Sequence, residues 1–198
     1  LIAALIVLPI ACGGQRATGP DYTTVRVGNG GEPKSLDPQL VTGVIEERLL
    51  SSMFEGLVNM DLATMQPKPG VAESWDVSAD GLTYTFHLRG DAKWSDGTPV
   101  TADDFVYSWR RMLSPALAAE YAYMLFMIDG AEAFNSGKET DFSKVGVRAI
   151  DPRTLVVKLR APAPYFLLLQ IHFSFYPVQR ATIEKFGAMT DRDTHWTR

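Results

Sequence analysis

The sequence predicts an α/β fold of mixed α+β type, and two kinds of pattern carry this prediction. Residues 83–89 alternate apolar and polar side chains strictly, which places Tyr84 and Phe86 on one face of a β-strand. Residues 101–113 repeat apolar side chains at helical spacing around Trp109. Short turn-forming segments separate such stretches, so strands and helices alternate along the chain.

The N-terminal third is predicted to hold a strand, an extended stretch and a helix. Residues 22–28 have the alternation of a short strand, and the two prolines of 32–38 keep that stretch extended. Thr42 is a candidate N-cap residue. Apolar side chains recur every four residues from Ile45 to Met53, which predicts an amphipathic helix after it.

The middle of the chain is predicted to form a hairpin followed by a helix. The turn signal at 79–81 pairs a strand at 75–77 with the alternating strand at 83–89. Thr101 and Asp104 have the spacing of a capping box, and they open the helix over 101–113. Its buried stripe is predicted to consist of Phe105, Trp109, Met112 and Leu113.

Beyond Pro115, which ends that helix, the pattern predicts further helices and one more strand. Residues 117–134 are rich in Ala, Tyr and Met and indicate a helical region that ends near Gly137. The remaining predicted elements are a strand at 154–160 and short helices at 165–170 and 179–186.

Composition and charge exclude several classes of protein. The chain has 198 residues, of which 46% are hydrophobic and 11% aromatic, so it is not a disordered segment. Its net charge is -4, and Arg110-Arg111 is the longest basic run. The sequence has no basic pattern that would bind the phosphate backbone of nucleic acid, so nucleic acid is not an expected partner.

Residues 1–11 are uncharged and apolar and predict the hydrophobic region of a secretory signal. As a helix they would span only about 16 Å, roughly half of a bilayer core, so they are too short for a transmembrane span. The chain starts at Leu1 without Met or basic residues, and we therefore expect a signal that is clipped at its front end.

Cys12 is the only cysteine, which excludes a disulfide framework. Its position after the apolar run resembles a bacterial lipobox, in which the cysteine is acylated and becomes the mature N-terminus. Ile10 and Ala11 fit that pattern, whereas Pro9 stands where Leu is usual. We expect a lipid anchor at Cys12 with a flexible tether over 12–21; the alternative is an ordinary signal with an incidental cysteine.

Motifs for catalysis, metal binding or a cofactor are missing from the sequence. His87, His172 and His195 are isolated, so each is predicted to be structural and no metal or cofactor is expected. The carboxylate pairs Glu46-Glu47 and Asp103-Asp104 point about 100° apart on a helix and cannot converge on one bond. We therefore expect no catalytic residues and no enzyme.

Five stretches together resemble the solute-binding proteins of peptide ABC transporters, the bacterial extracellular solute-binding family 5. They read EPKSLDP at 32–38, FEGL at 54–57, PGVAESW at 69–75, DGLTYTFHLR at 80–89 and AKWSDGTPVTADDF at 92–105. Similarity to the family continues from the first predicted strand to Gly187.

The resemblance implies a type II periplasmic binding fold with two lobes and a small domain inserted in the first. It implies the first part of lobe one at 22–53, the inserted domain at 54–174 and a return to lobe one at 175–198. The second lobe is expected to lie outside this sequence, together with the family's acidic anchor for a peptide amino terminus.

Three residues acquire expected roles from the resemblance. Val44 matches a residue whose backbone pairs with the bound peptide, and Tyr121 matches a tyrosine that packs on the ligand. Thr42 stands where a peptide-binding member of the family has Glu, which changes the expected preference for the charge of the ligand. Main-chain pairing with an extended peptide, combined with roomy pockets for its side chains, suits broad specificity.

The expected function is that of a monomeric, lipid-anchored receptor outside the cytoplasm, which binds oligopeptides or dipeptides and delivers them to an ABC permease in the membrane. Within the same fold the alternatives are a nickel chelate, haem, a murein peptide or an oligosaccharide as ligand. From other classes, a secreted hydrolase and a chaperone-like interaction module remain as alternatives.

Overall fold

The structure, a computed structural model, describes residues 27–192. The apolar run, Cys12, the tether and most of the predicted strand at 22–28 therefore lie outside the described residues, as does His195. In chain order the helices and strands are α1 (Val44–Met53), β1 (Val58–Asp61), β2 (Gln66–Pro69), β3 (Ala72–Val77), β4 (Thr83–Leu88), α2 (Ala102–Leu113), α3 (Ala131–Asn135), β5 (Val147–Asp151), β6 (Thr154–Lys158), α4 (Phe166–Leu169) and α5 (Arg180–Phe186).

The described strands form two antiparallel sheets. β1 and β2 make a two-stranded hairpin, and the other four make one sheet in the order β3-β4-β6-β5. In the central pair Tyr84 lies opposite Val157 and Phe86 opposite Leu155. The mixed α/β class is confirmed. The hairpin β1–β2 and the strand β5 were not predicted, because two prolines in β2 and the short, bulged β5 obscure the strand pattern.

One face of the four-stranded sheet carries the main core. Tyr84, Phe86 and Leu88 are buried, as the alternation predicts. Phe166 of α4 packs edge-on against Tyr84 with ring centroids 4.8 Å apart. The β6 residues Leu155 and Val157 are fully buried beside them. A period of two therefore identified the buried face of β4 correctly.

Helix α2 covers this core and begins as predicted. The Asp104 carboxylate accepts hydrogen bonds from the backbone N–H and the hydroxyl of Thr101, at 2.8 and 3.0 Å. All four residues of the predicted stripe are buried. Trp109 also donates its indole N–H to the backbone oxygen of Phe175 at 3.2 Å, which joins α2 to the segment before α5.

The predicted helical region over 117–134 is wrong in its extent. A 3₁₀ turn at Glu120–Leu125, called the 120–125 turn below, is followed by the short helix α3. Ala118 and Gly130 both adopt positive φ, at 51° and 73°, which no continuous right-handed helix allows. At Gly130 the backbone passes so close to Lys144 that a Cβ would lie 2.6 Å from its carbonyl oxygen.

A buried ion pair joins three distant parts of the chain. Arg111 of α2 has no exposed surface, and its guanidinium bonds to both carboxylate oxygens of Asp37 at 3.1 and 2.7 Å. It also donates to the side-chain oxygen of Gln39 at 2.6 Å and to the backbone oxygen of Met189 at 2.7 Å. The extended segment before α1, helix α2 and the segment after α5 therefore meet at one cation.

Gly130→Ala should destabilise the chain more than Gly137→Ala. Both glycines have a φ of 73°, but a Cβ at Gly137 would meet nothing within 4 Å. The backbone conformation alone should cost about 1–2 kcal/mol at either position. The collision with Lys144 should add roughly 1–3 kcal/mol at Gly130.

Urea denaturation followed by tryptophan fluorescence measures both free energies of unfolding. Equal losses of unfolding free energy in the two variants would show that the close approach of Gly130 to Lys144 is absent.

Candidate functional site

The first turn of α1 is held against the preceding segment by a buried carboxylate. Glu46 accepts a hydrogen bond from the backbone N–H of Lys34 at 2.9 Å. That bond and one from its own backbone hold the pKa of Glu46 below its ordinary value, although burial opposes them. Gly43 is the N-cap residue of α1. Glycine suits this position because a Cβ there would collide with the Glu46 carboxylate. Thr42 therefore precedes the cap, which corrects its predicted role as N-cap.

A hydrogen bond links Thr42 to Tyr121, which lies 79 residues later in the chain. The Tyr121 hydroxyl donates to the backbone oxygen of Thr42 at 3.2 Å. Tyr121 projects from the 120–125 turn, which packs against α2. Two of the three predicted ligand-binding residues are thus in direct contact, and Val44 lies two positions further along the backbone.

Tyr121 is the centre of a group of rings, here called the Tyr121 cluster, that consists of Tyr121, Tyr123, His172 and Phe173. The ring centroid of Tyr121 lies 6.0 Å from that of Tyr123, 5.3 Å from His172 and 5.9 Å from Phe173. The first two contacts are edge-on, an arrangement that aromatic pairs favour. Phe173 is buried and Tyr123 is 60% exposed, so the cluster leads from the core to the surface.

His172 has a structural role in this cluster, as predicted, but its neighbours were not foreseen. Its Nδ1 accepts a hydrogen bond from the backbone N–H of Ser174 at 3.2 Å and so caps the 3₁₀ turn Phe173–Phe175, called the 173–175 turn below. Burial lowers the pKa of His172, and the nearby carboxylate of Glu47 opposes that shift. A single histidine without a motif carries no sequence signal for this arrangement.

Val44 occupies an exposed position at the first residue of α1. Its side chain is 63% exposed, and the backbone N–H groups of a first helical turn have no acceptor within their own helix. Beside it lies an open cleft of about 570 Å³ that Thr42, Glu32, Lys34 and Glu120 also line. The arrangement places the start of a helix at the edge of a cleft whose lining includes polar side chains, which suits recognition of the backbone of an extended chain.

A second open cleft of about 690 Å³ lies at the other end of α1 and contains none of the predicted site residues. Its charged lining is largely paired within the protein. Arg89 bonds to Glu55 at 2.6 Å and to Asp91 at 3.1 Å, and Asn59 donates to Glu55 at 2.9 Å. This pairing leaves little free charge for a ligand, so we place the candidate site at the cleft beside Val44.

The acidic and histidine side chains of the described residues form no cluster of metal ligands. Within residues 27–192, no group of three or more His, Cys, Asp and Glu side chains is placed to hold a metal ion. Glu46 and Asp104, one from each predicted carboxylate pair, are occupied by backbone hydrogen bonds at helix starts. Among the helices of the same residues, none is long and apolar enough to cross a membrane.

Comparison with known proteins places this geometry in a family. The family described as bacterial extracellular solute-binding proteins, family 5 Middle, matches residues 66–197. The chain belongs to this family. The periplasmic oligopeptide-binding protein OppA of Escherichia coli is 52% identical over 161 residues, which are 80% of this chain and 29% of OppA.

Other members of family 5 extend the comparison. The periplasmic murein peptide-binding protein MppA of Escherichia coli is 44% identical over 77% of the chain and 28% of its own length. The crystal structure of Haemophilus influenzae OppA in complex with RPPGFSPFR matches with a TM-score of 0.76 at 42% identity. It covers 84% of this chain and 33% of that protein. The chain thus spans about a third of its relatives' length and shares the corresponding part of their fold.

Proposed function

We propose that the protein containing this chain is a substrate-binding receptor of an ABC importer, which binds oligopeptides or dipeptides outside the cytoplasm and delivers them to a membrane permease. One observation carries the proposal. At 42% identity the chain matches a third of Haemophilus influenzae OppA, a protein whose structure holds a peptide. Relatives in the family are named as binding proteins, in keeping with a receptor that performs no chemistry.

The geometry beside α1 supports a peptide as the ligand. An extended peptide has unpaired N–H and C=O groups along its length, and the exposed first turn at Val44 presents backbone groups to such a chain. The half-buried ring of Tyr121 lies next to Thr42, one of the residues that line the cleft. We assign main-chain pairing to Val44, side-chain packing to Tyr121, and an uncharged lining position to Thr42.

The division of the chain that we propose follows the family's architecture. Residues 22–53 begin lobe one, 54–174 form the inserted domain and 175–198 return to lobe one. The Arg111 ion pair would then hold the inserted domain against both parts of lobe one. Closure of a second lobe over Val44 and Tyr121 would complete the site, because one wall leaves a peptide half hydrated.

A murein peptide is the second candidate ligand, and one observation favours it. MppA, a murein peptide-binding protein, is 44% identical to the chain over 155 residues, close to the values for the OppA relatives. The shared portion does not separate the two ligands, since both are peptides that would use the same backbone pairing. Calorimetry with each ligand distinguishes them.

The proposed location is the periplasm or the cell surface, with the receptor acting as a monomer that is held at the membrane by lipid on Cys12. The apolar run before the single cysteine supports export and the lipid anchor. An acyl anchor restricts the receptor to the membrane surface where its permease lies.

Tyr121→Ala in the full-length protein should weaken the binding of a tripeptide by about 1–3 kcal/mol, the scale of a lost aromatic contact at a buried site. Isothermal titration calorimetry measures the loss. Tyr165→Ala is the matched control, because Tyr165 is 57% exposed and does not line the cleft, so the affinity should stay unchanged.

The melting temperature of the unliganded Tyr121→Ala protein separates packing on the ligand from packing in the core. A large fall in melting temperature with unchanged affinity would place Tyr121 in the core alone. Absence of binding by the wild-type protein to any peptide would exclude the proposed function itself.

Cys12→Ser should release the full-length protein from membranes into the soluble fraction. The lost acyl chains contribute roughly 0.8 kcal/mol per buried methylene to membrane binding. Fractionation of cells that export the wild-type protein and the variant measures this. Membrane association that persists in an exported Cys12→Ser protein would contradict the lipid anchor.

A further inference from the structure

His172 connects the backbone of the 173–175 turn to the ring of Tyr121. Its Nδ1 accepts the N–H of Ser174 at 3.2 Å. Its ring stacks on Phe173 with centroids 4.2 Å apart and meets Tyr121 edge-on at 5.3 Å. One imidazole therefore fixes the turn through a hydrogen bond and supports Tyr121 through its ring.

This arrangement requires the neutral form of His172. A nitrogen that accepts an N–H bond carries no proton, so the proton of the neutral imidazole is on Nε2. Protonation of Nδ1 would direct two N–H groups at each other, which removes the cap of the 173–175 turn. The ring must then move, and Tyr121 loses the surface against which it packs.

The surroundings of the imidazole also favour its neutral form. Two uncharged rings pack against it, Tyr121 of the 120–125 turn and Phe173 of the 173–175 turn. Helix α2 reaches this turn through the uncharged Trp109. Glu47 on α1 is the charged group that acts on His172 within the described chain, and it raises the pKa, but burial outweighs it.

We propose that His172 is a positioning residue for Tyr121: the neutral imidazole holds the Tyr121 ring where its hydroxyl reaches the backbone oxygen of Thr42, and protonation of the imidazole loosens this contact. The consequence for ligand affinity rests on the proposed peptide-binding function. The consequence for Tyr121 itself does not, because it concerns contacts within the described chain.

The fold retains the neutral form of His172, and this sets the direction of the pH dependence. Affinity and local order should be complete above the ordinary histidine pKa of about 6.5. Both should fall as the pH drops through the lower pKa of His172 in the folded protein. Across the titration of His172 we expect the affinity for trialanine to fall about five- to tenfold.

Two measurements on the full-length protein test the proposal. Nuclear magnetic resonance of ¹³C-labelled tyrosine and histidine rings follows the Tyr121 ring signal through the titration of His172. Calorimetry with trialanine follows the affinity from pH 7 downwards through the same titration, and the termini of trialanine keep their charges between pH 7 and pH 5. His172→Phe retains a ring for packing but cannot titrate, so it should flatten both profiles.

The matched control is His87→Gln. His87 pairs with Asp76 at 2.7 Å across β3 and β4, away from the Tyr121 cluster, so this variant should keep the wild-type pH profile. A Tyr121 signal that does not follow His172, or the same pH profile in His172→Phe, would overturn the proposal. If the Tyr121 signal follows His172 but neither trialanine nor any other peptide binds at any pH, the positioning role stands and the proposed function fails.

Discussion

The buried guanidinium of Arg111 determines how the parts of this chain come together. It is fully buried and bonds to Asp37, Gln39 and the backbone oxygen of Met189. A buried cation without such partners would be prohibitively costly, and removing one partner of a buried pair costs about 3–5 kcal/mol. The interaction is therefore a constraint more than a source of stability: the three segments must meet whenever α2 packs on the sheet.

The candidate site depends on this constraint through a short stretch of backbone. The carbonyl of Asp37 accepts the N–H groups of Leu40 and Val41 at 3.1 and 3.2 Å, and Thr42 follows directly. Fixing Asp37 therefore fixes the carbonyl that Tyr121 contacts. The 120–125 turn approaches from the same side because it packs against α2. Helix α2 thus positions both partners of the Thr42–Tyr121 hydrogen bond: Thr42 through Arg111, and Tyr121 by packing against the 120–125 turn.

The sequence predicted those features that depend on near neighbours in the chain. The alternation in β4 and the Thr101–Asp104 capping box needed only a few residues each, and both are present. The helix over 117–134 was wrong because a close approach between Gly130 and Lys144 imposes a left-handed residue. Pairs distant in sequence, such as Arg111 with Asp37, leave no local signal. The roles of Thr42, Val44 and Tyr121 came from family resemblance, and only their proximity is structural.

Amide hydrogen exchange in the full-length protein, with and without Arg111→Met, tests whether Arg111 orders the segment that carries the candidate site. We expect the amides of Leu40 and Val41, which bond to the carbonyl of Asp37, to exchange at least about tenfold faster in the variant. The exchange rates of the β4 amides should rise only as far as the loss of global stability requires. Equal changes in the two regions would contradict the claim that Arg111 orders the segment that carries the candidate site.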